Sequence, residues 1–179
     1  MEKIIQYIQK ELCHGESYGM NLLHQPENLS MEEKTVDLFL KYKVRIVEAA
    51  AYMSLTSAVI RYRAKGLRRE SNGSVAAMNR IIAKVSRPEV AQTFLSPVPE
   101  FLLAKMVQEN RITREEAELL KEVPVADDIT VEADSGGHTD QGMPFVLMPA
   151  MLKLRDEMMK KYGYSRKIRI GAAGGIGIL

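Results

Sequence analysis

Between Ile129 and Asp140 the chain reads Ile-Thr-Val-Glu-Ala-Asp-Ser-Gly-Gly-His-Thr-Asp. A β-branched run gives way to two acids, a pair of glycines and a histidine, the layout of a buried strand that delivers polar groups to its carboxyl end. His138 can give or take a proton near neutral pH, since an unperturbed imidazole titrates at about 6.5. A loop histidine is also commonly just a solvated polar group, so both readings stand. Glu132 and Asp134 fall on one face of the strand by the period of two. Carboxylates on an otherwise apolar face need partners. They are either a catalytic pair or are held by a salt bridge to Lys84 or by nearby loop amides.

A second strand-like stretch, Lys167-Ile-Arg-Ile-Gly-Ala-Ala-Gly-Gly-Ile-Gly177, runs into glycines. Without Cβ atoms, such a turn lets backbone N–H groups approach a phosphate. It is not the G-x-G-x-x-G spacing, and a tight strand exit needs glycines too. Two glycine clusters at neighbouring strand ends, one bearing a histidine, tilt the reading toward a phosphate-bearing cofactor.

The elements that must position these residues follow from hydrophobic period and punctuation. Ile4, Ile5, Ile8 and Leu12 predict a helix over 2–12, with His14-Gly15 as its stop. Met20–His24 reads as a first strand, and Ser30-Met-Glu-Glu33 has the form of a capping box opening a helix near Met31 that ends near Tyr42. Val44–Ala50 is the second strand, Leu55–Lys65 a helix, Asn72-Gly73 a loop, and Ile81–Ser86 the third strand, closed by Arg87-Pro88. Helices over Glu100–Asn110 and, behind a capping box at Thr113-Arg-Glu-Glu116, Arg114–Glu122 precede the fourth strand. Met148–Tyr162, with Gly163 beyond it, is the helix before the fifth. Strands separated by helices predict a parallel α/β sheet with right-handed crossovers. Spacing alone leaves open a doubly wound sheet or part of a (β/α)₈ barrel; both gather ligands at the carboxyl ends of the strands.

With 179 residues, 46% hydrophobic and 27% charged, the chain suits one ordinary globular domain. A formal charge of +2 does not argue for nucleic acid. Cys13 is the one cysteine, which excludes an intramolecular disulfide and suits a reducing, cytoplasmic setting. Neither the N-terminus nor any other run has the apolar length of a signal or membrane segment. Arg61, Arg63, Lys65, Arg68 and Arg69 are a basic helix end and loop, favoured there by the helix dipole or presented to an acidic protein. The methionines, Met148, Met151, Met158 and Met159 among them, suit adaptable packing.

Several blocks carry a resemblance. They are Gly19-Met-Asn-Leu-Leu-His24, Lys34-Thr-Val-Asp-Leu38, Arg61-Tyr-Arg-Ala-Lys-Gly66, Ile82-Ala-Lys-Val-Ser-Arg-Pro88, Asp127–Asp140 and Arg169–Gly177. Together they make the chain similar to the PfaD family, trans-acting flavin-dependent enoyl reductases of polyunsaturated fatty acid and polyketide synthases, within the wider group of nitronate monooxygenase-like flavin barrels. The resemblance spans nearly everything after about residue 18. It implies a partial (β/α)₈ (TIM) barrel, the five strands matching the third to seventh of eight, so that residues 1–179 form an incomplete flavin-binding barrel domain without its first two and last strands. It also implies FMN at the carboxyl mouth, NADPH or NADH as reductant, and acyl carrier protein and synthase modules as partners. By position, Asn21 would contact the flavin, Lys84 would lie near its ring or ribityl chain, and Gly136, Gly137, Gly174 and Gly175 would line the phosphate side. His138 would stand beside the flavin as the acid or the thioester-orienting group. The alternatives are a nitronate monooxygenase, with the histidine abstracting a proton next to a nitro group, and an inactive piece that docks through Arg61–Arg69.

Overall fold

A computed structural model describes residues 1–133 and 142–174. His138, Gly136, Gly137, Gly175 and Asp134 lie outside these residues. Five parallel strands form one sheet: β1 (Met20–Leu23), β2 (Ile46–Ala50), β5 (Arg80–Val85), β6 (Asp128–Glu132) and β7 (Arg169–Ala173). Their spatial order, β1-β2-β5-β6-β7, is their chain order. A doubly wound sheet reverses direction at a switch point, whereas a barrel adds each strand beside the last. The unbroken order is therefore that of consecutive staves of a barrel, and the choice left open by spacing is made by topology.

Helices fill the crossovers. They are α1 (Glu2–Glu11), which precedes the sheet, α2 (Leu29–Lys41), α3 (Ser57–Ala64), α4 (Pro88–Leu95), α5 (Glu100–Gln108), α6 (Arg114–Leu120) and α7 (Pro144–Tyr162). The core lies between these helices and one face of the sheet, where Leu22, Val47, Ala49, Ile81, Ala83, Ile129 and Val131 are all buried. Register fixes the other face. Asn21 pairs with Glu48, Glu48 with Ile82, Lys84 with Thr130, and Glu132 with Ala173. The helix-covered face is aliphatic, and the opposite face carries amide, ammonium and carboxylate groups.

Several expectations change in detail. Ser30-x-x-Glu33 is not a capping box: the helix starts one residue after Asn28, whose side chain accepts from the Met31 amide at 3.2 Å. Glu33 turns instead to Arg61, 2.9 Å away. The box at Thr113 and Glu116 does form, with both reciprocal bonds present. Pro88 opens α4 rather than closing a strand, because a proline at the first helical position gives up an N–H that has no partner there. Asn72-Gly73 is the turn of a short antiparallel hairpin, β3 (Leu67–Arg69) and β4 (Val75–Ala77). α7 starts at Pro144, four residues before the apolar run suggests, and ends at Gly163 in the left-handed region (φ 67°).

Candidate functional site

At the carboxyl ends of β1, β2 and β5 a cleft of about 400 Å³ is lined by Asn21, Leu23, Ala50, Tyr52, Lys84 and Glu132, with Met53, Ser86 and Arg87 at its edge. Lys84 is its centre. It projects from the inner face of β5, between a carboxylate on each neighbouring strand: Glu48 Oε1 of β2 at 3.2 Å and Glu132 Oε1 of β6 at 3.7 Å. Partial burial by itself would lower the ammonium's pKa. The hydrogen bond and charge of Glu48, joined by Glu132, outweigh it and hold the group above its ordinary value. Lys84 is thus a fixed cation and donor at neutral pH, not a base. The salt bridge of Glu132 to Lys84 expected from strand parity is present.

Asn21, level with Glu48 in the register, presents an amide that can both donate and accept on the same face. Gly174 follows the last residue of β7 with φ 70°. The Ala133 amide donates to the Ala173 carbonyl at 3.0 Å, so the exits of β6 and β7 meet at this end of the sheet. The structure thus brings Asn21 and Lys84 into one cleft and sets Gly174 at the same pole. His138, Gly136, Gly137 and Gly175 are outside the described residues.

Two functional groups escape the sequence reading. Glu48 is one; the polar residue inside the run Val44–Ala50 falls on the inner face by the same parity that exposes Glu132. The other is a cluster around Glu32, a nearly fully buried carboxylate. His24 Nδ1 lies 2.9 Å from Glu32 Oε2, Tyr52 Oη donates to Oε1 at 2.8 Å, and Thr56 Oγ1 donates to the same oxygen. Its signal is the spacing Glu32, Val36, Phe39, which puts an acid on the apolar stripe of α2. Burial, then the adjoining Glu32 charge, pushes the Tyr52 hydroxyl far above the usual phenol range.

A larger cleft, about 510 Å³, opens at the amino ends of the strands and is lined by Arg63, Arg80, Asp127, Tyr164 and Arg166. Its buried charges are paired. Arg63 Nη1 donates to Asp127 at 2.6 Å and to the Asn79 carbonyl at 3.0 Å, and Arg166 also reaches Asp127. Paired charges at this pole of a barrel serve stability, whereas ligands gather at the other. The basic run is likewise spoken for: Arg61 pairs with Glu33 and Asp37, Lys65 with Glu116, Arg68 with Glu70 and Arg69 with Glu122. Arg61 is held within the fold by its two carboxylates, while the pairs of Arg68 and Arg69 lie at the exposed surface.

No family model matches the chain. It is 59% identical over 177 residues to the polyketide biosynthesis protein PksE of Bacillus subtilis, and 49% identical over 179 residues to part of a polyunsaturated fatty acid synthase of a Thraustochytrium species. These alignments cover 99% of the chain but 23% and 12% of those proteins, so it spans less than a quarter of their length. The crystal structure of the enoyl reductase domain of MlnA, from the macrolactin cluster of Bacillus amyloliquefaciens, superposes with a TM-score of 0.93 at 47% identity, over 98% of this chain and 39% of that one. By sequence and by structure alike, the chain belongs with the enoyl-reductase-like domains of polyketide and polyunsaturated fatty acid synthesis, matching a part of one.

Proposed function

We propose that this chain supplies flavin-side staves of an FMN-dependent enoyl reductase that acts in trans on enoyl thioesters held by acyl carrier protein, with NADPH or NADH as reductant, in polyketide or polyunsaturated fatty acid biosynthesis. Residues 1–179 are in this reading one stretch of a flavin-binding barrel domain. The observation that carries it is the Lys84 ammonium, clamped by Glu48 and Glu132 at the carboxyl mouth of a barrel-ordered sheet and sharing a cleft with Asn21.

The described residues fit a flavin. The carbonyl-and-imide edge of its ring asks for donors and an acceptor, which the Lys84 ammonium and the Asn21 amide supply. The phosphate asks for backbone N–H groups at a turn, and Gly174 leaves β7 in a conformation that suits one. Gly136, Gly137 and Gly175 would complete that side. When bound, FMN supplies the redox chemistry, taking hydride from the nicotinamide and returning it to the enoyl β-carbon, and the protein supplies placement and electrostatics. Lys84 would serve by staying protonated, a fixed positive charge near the ring or the ribityl chain that needs no reorganisation. His138 would either give the α-carbon its proton or hold the thioester carbonyl.

Quenching of FMN fluorescence on titration with the protein tests the reading. Saturable binding that Lys84→Met weakens about tenfold or more is the expected result, since the variant removes a charge-assisted hydrogen bond and the cation beside Glu48 and Glu132. Failure to saturate, or binding indifferent to Lys84, would overturn it.

A further inference from the structure

A third cleft, about 370 Å³, adjoins the one around Lys84 and opens between the loop that follows β1 and the loop that follows β2. Apolar Pro26, Leu29 and Leu55 share its wall with the hydroxyls of Thr56 and Ser57, and His24 stands at its inner end. The imidazole is fixed from two directions. Its ring lies against Tyr52, centroids 5.0 Å apart at 26°, and Tyr52 in turn meets Phe94 edge-on at 5.9 Å. Its Nδ1 is tied to Glu32, whose side chain is 1% exposed. Because Glu32 also accepts from Tyr52 and Thr56, it acts as acceptor throughout, which places the proton of the neutral ring on Nδ1 and turns the Nε2 lone pair outward. Among the described residues Nε2 makes no hydrogen bond.

Holding one ring this way costs the burial of a carboxylate. The arrangement yields a hydrogen-bond acceptor of defined direction in the wall of the cleft. Tyr52, which walls the Lys84 cleft, stacks on His24, which walls this one, so the two clefts adjoin at that ring pair. Phosphate is disfavoured here, because the carboxylates of Glu32 and Glu33 line the wall. A neutral arm in which methylenes alternate with amides matches the mixture of aliphatic and hydroxyl groups.

We propose that this cleft is the subsite for the thioester arm of the substrate, with His24 Nε2 accepting a hydrogen bond from an amide N–H of that arm. The inference rests on the enoyl-thioester reading and adds where the substrate enters. His24 acts as a contact residue; no bond to it is made or broken.

Two small probes isolate the contact: S-butyryl-N-acetylcysteamine, and its analogue in which an ester oxygen replaces the amide N–H. The protein binds the amide probe about tenfold more tightly than the ester, one hydrogen bond's worth, and His24→Phe, which keeps the ring stack, abolishes the difference. The wild-type Nε2 resonance moves with the amide probe and stays put with the ester, a measurement that needs no variant. Equal affinities with a motionless Nε2 would overturn the subsite, as would a preference for the amide that survives His24→Phe. FMN titration in parallel separates the two readings: loss of flavin binding strikes the enoyl reductase, whereas amide-selective binding at His24 stands without it.

Discussion

Lys84 shows how a single residue is specified by its neighbours. A lysine facing the interior of a sheet has to find carboxylates, and the chain provides one on each flanking strand, at distances of 3.2 and 3.7 Å. The closer partner sets the larger effect. Replacing Glu48 by Gln should therefore lower the pKa of Lys84 more than replacing Glu132 by Gln, with the ammonium falling toward or below its ordinary value once burial is less opposed. Carbon-13 methyl-labelled lysine followed by NMR across alkaline pH reads this directly. An unmoved Lys84 resonance in Glu48→Gln would show that the clamp does not set its basicity. Part of this site is legible in the sequence, because strand parity alone puts Glu132 and Lys84 on one face. Glu48 and the Glu32 cluster are not read so easily: each is an acid inside an apolar pattern, and only the partner elements reveal why it is tolerated.

At the scale of elements, the chain announces its strands and most of its helices through period and caps, and conceals those that begin on proline or are too short to show a period. α4 and the first turn of α7 open on Pro88 and Pro144, residues that end one element as readily as they begin another. The β3–β4 hairpin has three residues per strand, below the length at which alternation is visible. What secures it is a close approach. Met78 donates its amide to the Gly66 carbonyl at 2.7 Å, and a Cβ on Gly66 would sit 2.4 Å from the Asn79 nitrogen. Asn79 is buried and committed, its amide donating to the Tyr62 carbonyl at 3.0 Å while its oxygen accepts from Arg45. Backbone cannot yield as a flexible side chain does, so Gly66→Ala should destabilise the fold by about 1–3 kcal/mol, with hydrogen exchange rising first in the hairpin. A neutral effect in urea unfolding would refute the close packing.

On the scale of the whole molecule, the sheet is a two-faced object: the helix side holds the fold together and the polar side is available for chemistry. The class is readable because helices alternate with strands; spacing alone leaves barrel order open, since it is the same whether each strand is laid beside the last or the sheet turns back at a switch point, and it is the resemblance that implies the barrel the strand order bears out. The polar face also links folding to pH. At the amino end of β6, Asp128 accepts from Arg169 Nε at 2.8 Å and Nη2 at 2.6 Å. Burial alone would raise its pKa; the paired guanidinium and the Arg169 amide more than reverse this and hold it below the ordinary 3.8. The folded carboxylate then resists a proton that the unfolded one accepts, so the pair's stabilisation is complete above that ordinary value and is lost as pH falls through the depressed one. Arg169→Met removes the guanidinium while keeping much of its stem. The stability gap between wild type and variant, from urea unfolding at a series of pH values, should be constant between about pH 6 and 7 and shrink toward zero below about pH 3. A gap of unchanged size in acid would mean that Arg169 contributes through packing and not through charge.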